Sequence, residues 1–178
     1  EKIGSAQVKS AILLAALNTP GTTVIEEQKL SRNHTENILN FLGADIKIKK
    51  LGKKNLIYLT GQKNLYSFNI QVPGDPSSAA PFVIMTLLTP NSELTIKNVN
   101  CNSTRIGFIK ILKKMNAKIK IKNLKKKSGE FVGDIFVKSS KLKPINCPRE
   151  LVPFAIDEFP LLFCVASIIK GVSKFSGI

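Results

Sequence analysis

Two spacings of apolar residues alternate along this chain. Thr35, Ile38, Leu39 and Leu42 recur at i, i+3, i+4 and i+7, the stripe of a helix with one buried face. Ile46 and Ile48 then alternate with Lys47 and Lys49, the period of a strand whose outer face is wet. The passage Thr104–Asn123 repeats Ser31–Lys50 without a gap. Phe108, Ile111, Leu112 and Met115 take the helical positions, and Ile119 and Ile121 the strand positions. Gly43 and Asn116 follow their helices at the place where left-handed backbone is wanted.

Three other segments are apolar on every side: Ser5–Leu17, Ser77–Leu88 and about Asp157–Ile169. Each leads through a turn, at Pro20-Gly21, Pro90-Asn91 and Gly171, into a short expected strand: Thr23–Glu26, Leu94–Val99 and Val172–Phe175. Second strands are expected at Leu56–Thr60 and Asp134–Lys138. The order is helix, strand, helix, strand, strand, and a strand before the first helix would complete βαβαββ. The fold class is therefore α/β (α+β), built of repeated units too long for a short-period solenoid. Gln71–Asp75, reading Gln-Val-Pro-Gly-Asp, interrupts the pattern and marks the expected crossing between lobes.

The 178 residues suit one domain or two small lobes. Lys and Arg number 27 against 12 Asp and Glu, a net charge of +15 that favours an anionic partner: nucleic acid, an acidic membrane surface or a phosphorylated small molecule. Position weakens the first two. The lysines fall on outer strand faces or in expected loops at Lys50–Lys54 and Lys125–Lys127. With no Trp and only 2 Tyr, the basic stretches lack stacking platforms for single strands. The longest apolar runs, Ala11–Leu17 and Leu161–Ile169, are too short to span a bilayer. Cys101, Cys147 and Cys164 form no C-x-x-C pair, and His34 has no ligand set, so no disulfide, metal or cofactor is expected and a reduced, cytoplasmic setting fits. The opening at Glu1 and the strand-like close at Phe175–Ile178 read as the ends of a fragment.

The helix in GSAQVKSAILLAAL is built for burial but opens on small and polar residues. Ser5 is a good N-cap, and the next N–H groups with the positive helix end make an anion site, so a cap and a ligand contact are both open. Asn33 and Glu36 have capping-box spacing, which leaves Arg32 just outside its helix. Asp157 and Glu158 precede an apolar helix with Pro160 in its first turn, where Asp157 would serve as an N-cap. Ser77 and Ser78 read as caps. Arg105, near the repeat position of Arg32, reads as structural.

Taken in order, GSAQVKSAILLAAL, SRNHTENILNFLGA, VPGDPSSAAPF, NSTRIGFIKILKKMNA and ELVPFAIDEFPLL resemble the 5-enolpyruvylshikimate-3-phosphate synthase family over essentially the whole chain. The resemblance implies part of an inside-out α/β barrel of the enolpyruvyl transferase type, with two lobes of βαβαββ units, helices inside and sheets outside. Residues 1–71 would close the last unit of one lobe. Residues 72–178 would form the first unit of the other and begin its second. It implies transfer of the enolpyruvyl group from phosphoenolpyruvate to the 5-hydroxyl of shikimate-3-phosphate, with release of phosphate, toward chorismate and the aromatic amino acids. The full-length protein would be a cytoplasmic monomer, with no nucleic-acid or membrane partner.

By the same resemblance Ser5, Ala6, Gln7 and Arg32 hold shikimate-3-phosphate, and Gln7 also reaches phosphoenolpyruvate. Asp157 contacts the shikimate ring and acts in proton transfer. The 5-hydroxyl must lose a proton as it attacks C2 of the enolpyruvyl unit, while C3 gains one. Glu158 is the competing carboxylate. Asn33 stands where the family's S-R-D-H-T motif has Asp. Several cationic motifs of the family, among them R-V-K-E-S-D-R, are missing, so these residues alone are expected to show no turnover. The rival readings are a UDP-N-acetylglucosamine enolpyruvyl transferase and a basic nucleic-acid-binding module.

Overall fold

The computed structural model describes residues 4–52 and 54–178. The alternating spacings become α1 (Ala6–Leu17), β1 (Thr22–Glu27), α2 (His34–Phe41), β2 (Asp45–Leu51), β3 (Lys54–Thr60), α3 (Pro76–Leu88), β4 (Glu93–Asn100), α4 (Gly107–Lys114), β5 (Lys118–Lys127), β6 (Glu130–Lys138) and α5 (Phe159–Ile168). Two 3₁₀ turns, Arg149–Phe154 and Ile156–Glu158, lead into α5. The chain divides into two compact units. One ends at Gln71 and takes in Ser128–Glu130; the other holds Val72–Lys127 and Phe131–Ile178. This is a mixed α/β chain with small sheets.

Helix, strand, helix, strand, strand recurs in both halves, and the sheets share one strand order, β1-β3-β2 and β4-β6-β5. In the first, β3 is antiparallel to both neighbours, with Ile57 opposite Ile25 and Ile48. Leu13 and Ala16 of α1, Leu39 of α2, Ile25, Ile57 and Leu59 form its core. In the second, Phe108, Ile111 and Leu112 of α4 pack with Ile135 and Val137 of β6 and Leu162 and Val165 of α5, all fully buried. The α4 stripe is buried throughout, whereas of the α2 stripe Leu39 is buried and Thr35, Ile38 and Leu42 are half-buried. Gly43 and Asn116 adopt the left-handed backbone that ends α2 and α4, at φ 82° and 73°.

The apolar helices keep large side chains in the open. Val8 and Leu14 of α1, Phe82 and Met85 of α3, and Ile168 of α5 are about half exposed or more. A helix hydrophobic on all sides is one made to be covered on all sides. None of the described helices is long and apolar enough to cross a membrane.

Several local expectations are corrected. Val172–Phe175 is not a strand. Lys174 makes one parallel bridge to Asn146, with its N–H on Ile145 and its carbonyl on Cys147, and no neighbour extends the ladder. The lysine runs are largely strand: Lys50 and Lys54 lie in β2 and β3, on either side of a turn at Gly52, and Lys125–Lys127 end β5. Lysine is tolerated there because its stem packs along a strand while its charge stays wet. Lys53 lies outside the described residues. The cap of α3 is Asp75, whose carboxylate accepts from the Ser78 N–H at 2.8 Å and its Oγ at 3.1 Å. Pro76 takes the first helical place, which moves Ser77 and Ser78 past the cap. Asn33 makes no side-chain cap bond to α2, and Glu36 turns inward instead.

Candidate functional site

At the start of α1, Ser5 Oγ accepts the Val8 N–H at 3.3 Å and lies 3.4 Å from Gln7 Oε1. Ser5 is thus the cap its sequence position suggested. Ala6 and Gln7 follow as the first two helical residues, whose N–H groups have no preceding turn to bond. Gly4 lets the chain enter close beneath Lys29: a β-carbon there would lie 2.7 Å from the Lys29 carbonyl oxygen. Ser10 Oγ and Thr35 Oγ1 meet at 2.6 Å and tie α1 to the first turn of α2. Ala6, Gln7 and Ser10 then face Arg32, His34 and Thr35 across a cavity of about 230 Å³. Three of the expected substrate residues, Ala6, Gln7 and Arg32, share this cavity. Ser5 is not among its lining residues and serves the helix end.

Behind this corner lies a charged group that the pattern reading missed. Lys9 is fully buried, with Nζ 2.7 Å from Glu27 Oε1 and 2.7 Å from Glu36 Oε1. Glu27 also accepts from the Ser31 N–H at 3.0 Å, Ser31 Oγ at 2.6 Å and Asn55 Nδ2 at 3.1 Å. Burial alone would push the Glu27 carboxyl up. The bonds from Lys9, Ser31 and Asn55 and the lysine charge outweigh it and hold the group below the ordinary glutamate range. Oε2 of Glu36 is buried without a hydrogen-bond partner among the described residues. The signal was present in the sequence. Lys9 shares a stripe with Leu13 and Ala16, Glu27 keeps the inward period of Ile25, and Glu36 stands one turn before Leu39. This triad joins the first turns of α1 and α2 to the end of β1, so it fixes the elements that carry Gln7 and Arg32.

Asp157 belongs to the second unit and has neighbours of its own. It lies in the 3₁₀ turn Ile156–Glu158, and the cap position of α5 falls on Glu158, so Asp157 is not that helix's N-cap. Its side chain is 45% exposed and accepts from Arg105 Nη1 at 2.9 Å. Glu158, the rival carboxylate, is only 3% exposed and accepts from Ser77 Oγ at 2.5 Å. Of the pair, Asp157 presents a carboxylate that a solute can reach. Asp75 completes the group, 2.7 Å from Arg105 Nη2. Burial raises the Asp75 carboxyl, but the Ser78 bonds and the Arg105 charge outweigh it, and the net position is below the ordinary range.

A larger cavity, about 580 Å³, lies along β4, β5 and β6 among Lys97, Lys125, Lys127 and Asp134, and holds none of the candidate residues. Among the described residues no three His, Cys, Asp or Glu side chains gather as a metal-ligand set.

Fold and groups together define an α/β chain of two like units, one with a small cavity at a helix start and one with an arginine-held carboxylate. The solved structure of EPSP synthase from Acinetobacter baumannii superposes with a TM-score of 0.88 at 43% identity, covering 98% of this chain and 39% of that one. The family model for EPSP synthase (3-phosphoshikimate 1-carboxyvinyltransferase) matches residues 1–178. The chain belongs to that family. A 3-phosphoshikimate 1-carboxyvinyltransferase of Bartonella quintana is 48% identical over 177 residues, covering 99% of this chain and 40% of the relative. One of Carboxydothermus hydrogenoformans is 46% identical over 176 residues, with the same two coverages. The chain thus spans about 40% of the length of the curated relatives it matches.

Proposed function

We propose that this chain is the central part of a 3-phosphoshikimate 1-carboxyvinyltransferase. The full-length protein would move the enolpyruvyl group of phosphoenolpyruvate to the 5-hydroxyl of shikimate-3-phosphate and release phosphate. The observation that carries this reading is the cavity at the start of α1, where Ala6 and Gln7 face Arg32. A helix N-terminus offers N–H groups and positive potential, and a guanidinium offers a fork that matches phosphate. In this reading Ser5, Ala6, Gln7 and Arg32 hold shikimate-3-phosphate, and Gln7 also meets phosphoenolpyruvate. Asp157 takes the proton of the 5-hydroxyl as it attacks C2, while C3 gains a proton that it loses again as phosphate leaves.

The same reading covers architecture. The half-exposed apolar helices α1, α3 and α5 suit an inside-out barrel, where further βαβαββ units would cover them. Residues 1–71 would end one lobe, and residues 72–178 would open the other. Arg32 supplies one guanidinium, whereas two phosphate-bearing substrates need a wider cationic clamp. Turnover is therefore assigned to the full-length protein, as a cytoplasmic monomer, and not to these residues alone.

The test uses the full-length gene product that contains this chain. Calorimetry should show shikimate-3-phosphate binding, and Arg32→Gln should weaken it roughly 10- to 100-fold, the scale of one charge-assisted pair. Equal binding by wild type and Arg32→Gln, or no enol ether formed from the two substrates, would overturn the reading.

A further inference from the structure

Arg105 lies in the loop between β4 and α4 with its side chain only 12% exposed. Its two terminal nitrogens go to different carboxylates. Nη1 donates to Asp157 Oδ2 at 2.9 Å; Nη2 donates to Asp75 Oδ1 at 2.7 Å and to Ser77 Oγ at 2.8 Å. Ser77 in turn gives its hydroxyl hydrogen to Glu158 Oε1. We infer that Arg105 is the positioning residue for the carboxylate of Asp157, an inference that rests on the function proposed above.

The loop is built to hold the guanidinium still. Asn102 is buried, and its Oδ1 accepts from the Thr104 N–H at 2.9 Å and Oγ1 at 2.8 Å, while its carbonyl accepts the Arg105 N–H at 2.9 Å. Asn100 Oδ1 accepts the Asn102 N–H at 2.9 Å. Asp75, on the far side, is itself fixed as the cap of α3. Its segment is stitched to β4 by Gly74, whose N–H reaches Asn98 and whose carbonyl accepts from Asn100, both at 2.8 Å.

An exposed ion pair contributes little, because two mobile side chains must be ordered to form it. Here the cation is ordered already, from behind, by Asp75 and Ser77. Its other terminal nitrogen then meets Asp157, on a short turn and half in solvent. A planar fork can span two carboxylates; a lysine, as a point charge, cannot hold both directions. A proton-transferring carboxylate must keep hydrogen-bond reach of its proton, and a shift of about 1 Å costs on the order of 10²-fold in rate.

The experiment is a double-mutant cycle in the full-length gene product, read by turnover and by shikimate-3-phosphate binding. Arg105→Gln should lower kcat roughly 10- to 100-fold, with the binding constant changed less than about 3-fold, since the phosphate contacts are elsewhere. Arg105→Lys should recover only part of the loss, and it carries the comparison if the glutamine variant does not fold. Placed on Asp157→Asn, Arg105→Gln should cost nothing further, because it acts through the group already removed. An equal loss on both backgrounds, or full turnover by both Arg105 variants, overturns the inference alone. Full turnover by Asp157→Asn, or none by the wild type, overturns the proposed function and this inference with it.

Discussion

Asp157 and Glu158 are adjacent in the chain and face opposite surroundings: the first is 45% exposed against Arg105, the second 3% exposed against Ser77. Their substitutions should therefore separate. Asp157→Asn in the full-length protein is expected to lower kcat by roughly 10²–10⁴-fold, the usual contribution of a positioned acid or base, with little change in melting temperature. Glu158→Ala should instead destabilise by about 1–3 kcal/mol, since it leaves the Ser77 hydroxyl without its acceptor. Turnover and thermal melting on the two variants check this. The reverse pattern would make Glu158 the working carboxylate.

Lys9 is held by two acids, and all three side chains are buried. Removing it should cost far more than losing a surface pair. Lys9→Met is expected to destabilise the full-length protein by about 3–5 kcal/mol, because two carboxylates then remain buried without their cation. Urea unfolding measures this. A loss below about 1 kcal/mol, the value of an exposed pair, would contradict the burial argument.

The pH dependence of that group has a fixed sign. The Glu27 carboxyl is held below its ordinary value, so the folded state binds its proton less readily than the unfolded chain does. Its contribution is complete above about pH 4.3, the ordinary glutamate value, and is lost as pH falls from there through the lower folded value. Unfolding free energy measured down this range should fall more steeply for wild type than for Glu27→Gln. Equal slopes would remove Glu27 from the account.

Gly107 packs against the 3₁₀ turn Arg149–Phe154, which precedes the one that carries Asp157. A β-carbon at this position would lie 2.4 Å from the Phe154 carbonyl oxygen and 2.8 Å from its Cβ. Alanine would gain at most about 1 kcal/mol of helix propensity, and less at the first residue of α4. Overpacking against backbone costs about 1–3 kcal/mol, so the clash wins. Gly107→Ala should melt lower and also lose turnover, because the displaced turn leads straight into Ile156–Glu158. A variant as stable as wild type would show that the turn yields freely.

What could be read in the sequence follows from what kind of interaction sets each feature. The stripes of α2 and α4 and their left-handed ends were legible, since periodicity and Gly43 or Asn116 are local signals. The ends of β5 were not: lysines on a strand and lysines in a loop have the same composition, and only pairing tells them apart. The third strand failed for the same reason: among the described residues Lys174 alone of Val172–Phe175 has a bridge partner, and no local signal says so. The Lys9 triad went unread because apolar neighbours hid a charge whose partners lie in two other elements. Arg105 read as structural, but its three side-chain partners come from two separate segments, and no spacing announces such a meeting. Arg32, Ala6 and Gln7 are legible as parts of sequence motifs, while the cavity they line is a property of the fold.

The two units repeat one architecture, yet their leading helices are not alike at the tip. Ser5 opens α1 with a neutral hydroxyl, and the first turn contains no acid. Asp75 opens α3 with a carboxylate already seated on the Ser78 N–H. A helix start draws negative charge, and in the second unit the chain supplies that charge from the side chain of the cap residue itself. The two helix starts are thus both capped, one by a neutral hydroxyl and one by a fixed negative charge. At the start of α3 the Asp75 carboxylate opposes any further anion that the positive helix end would draw.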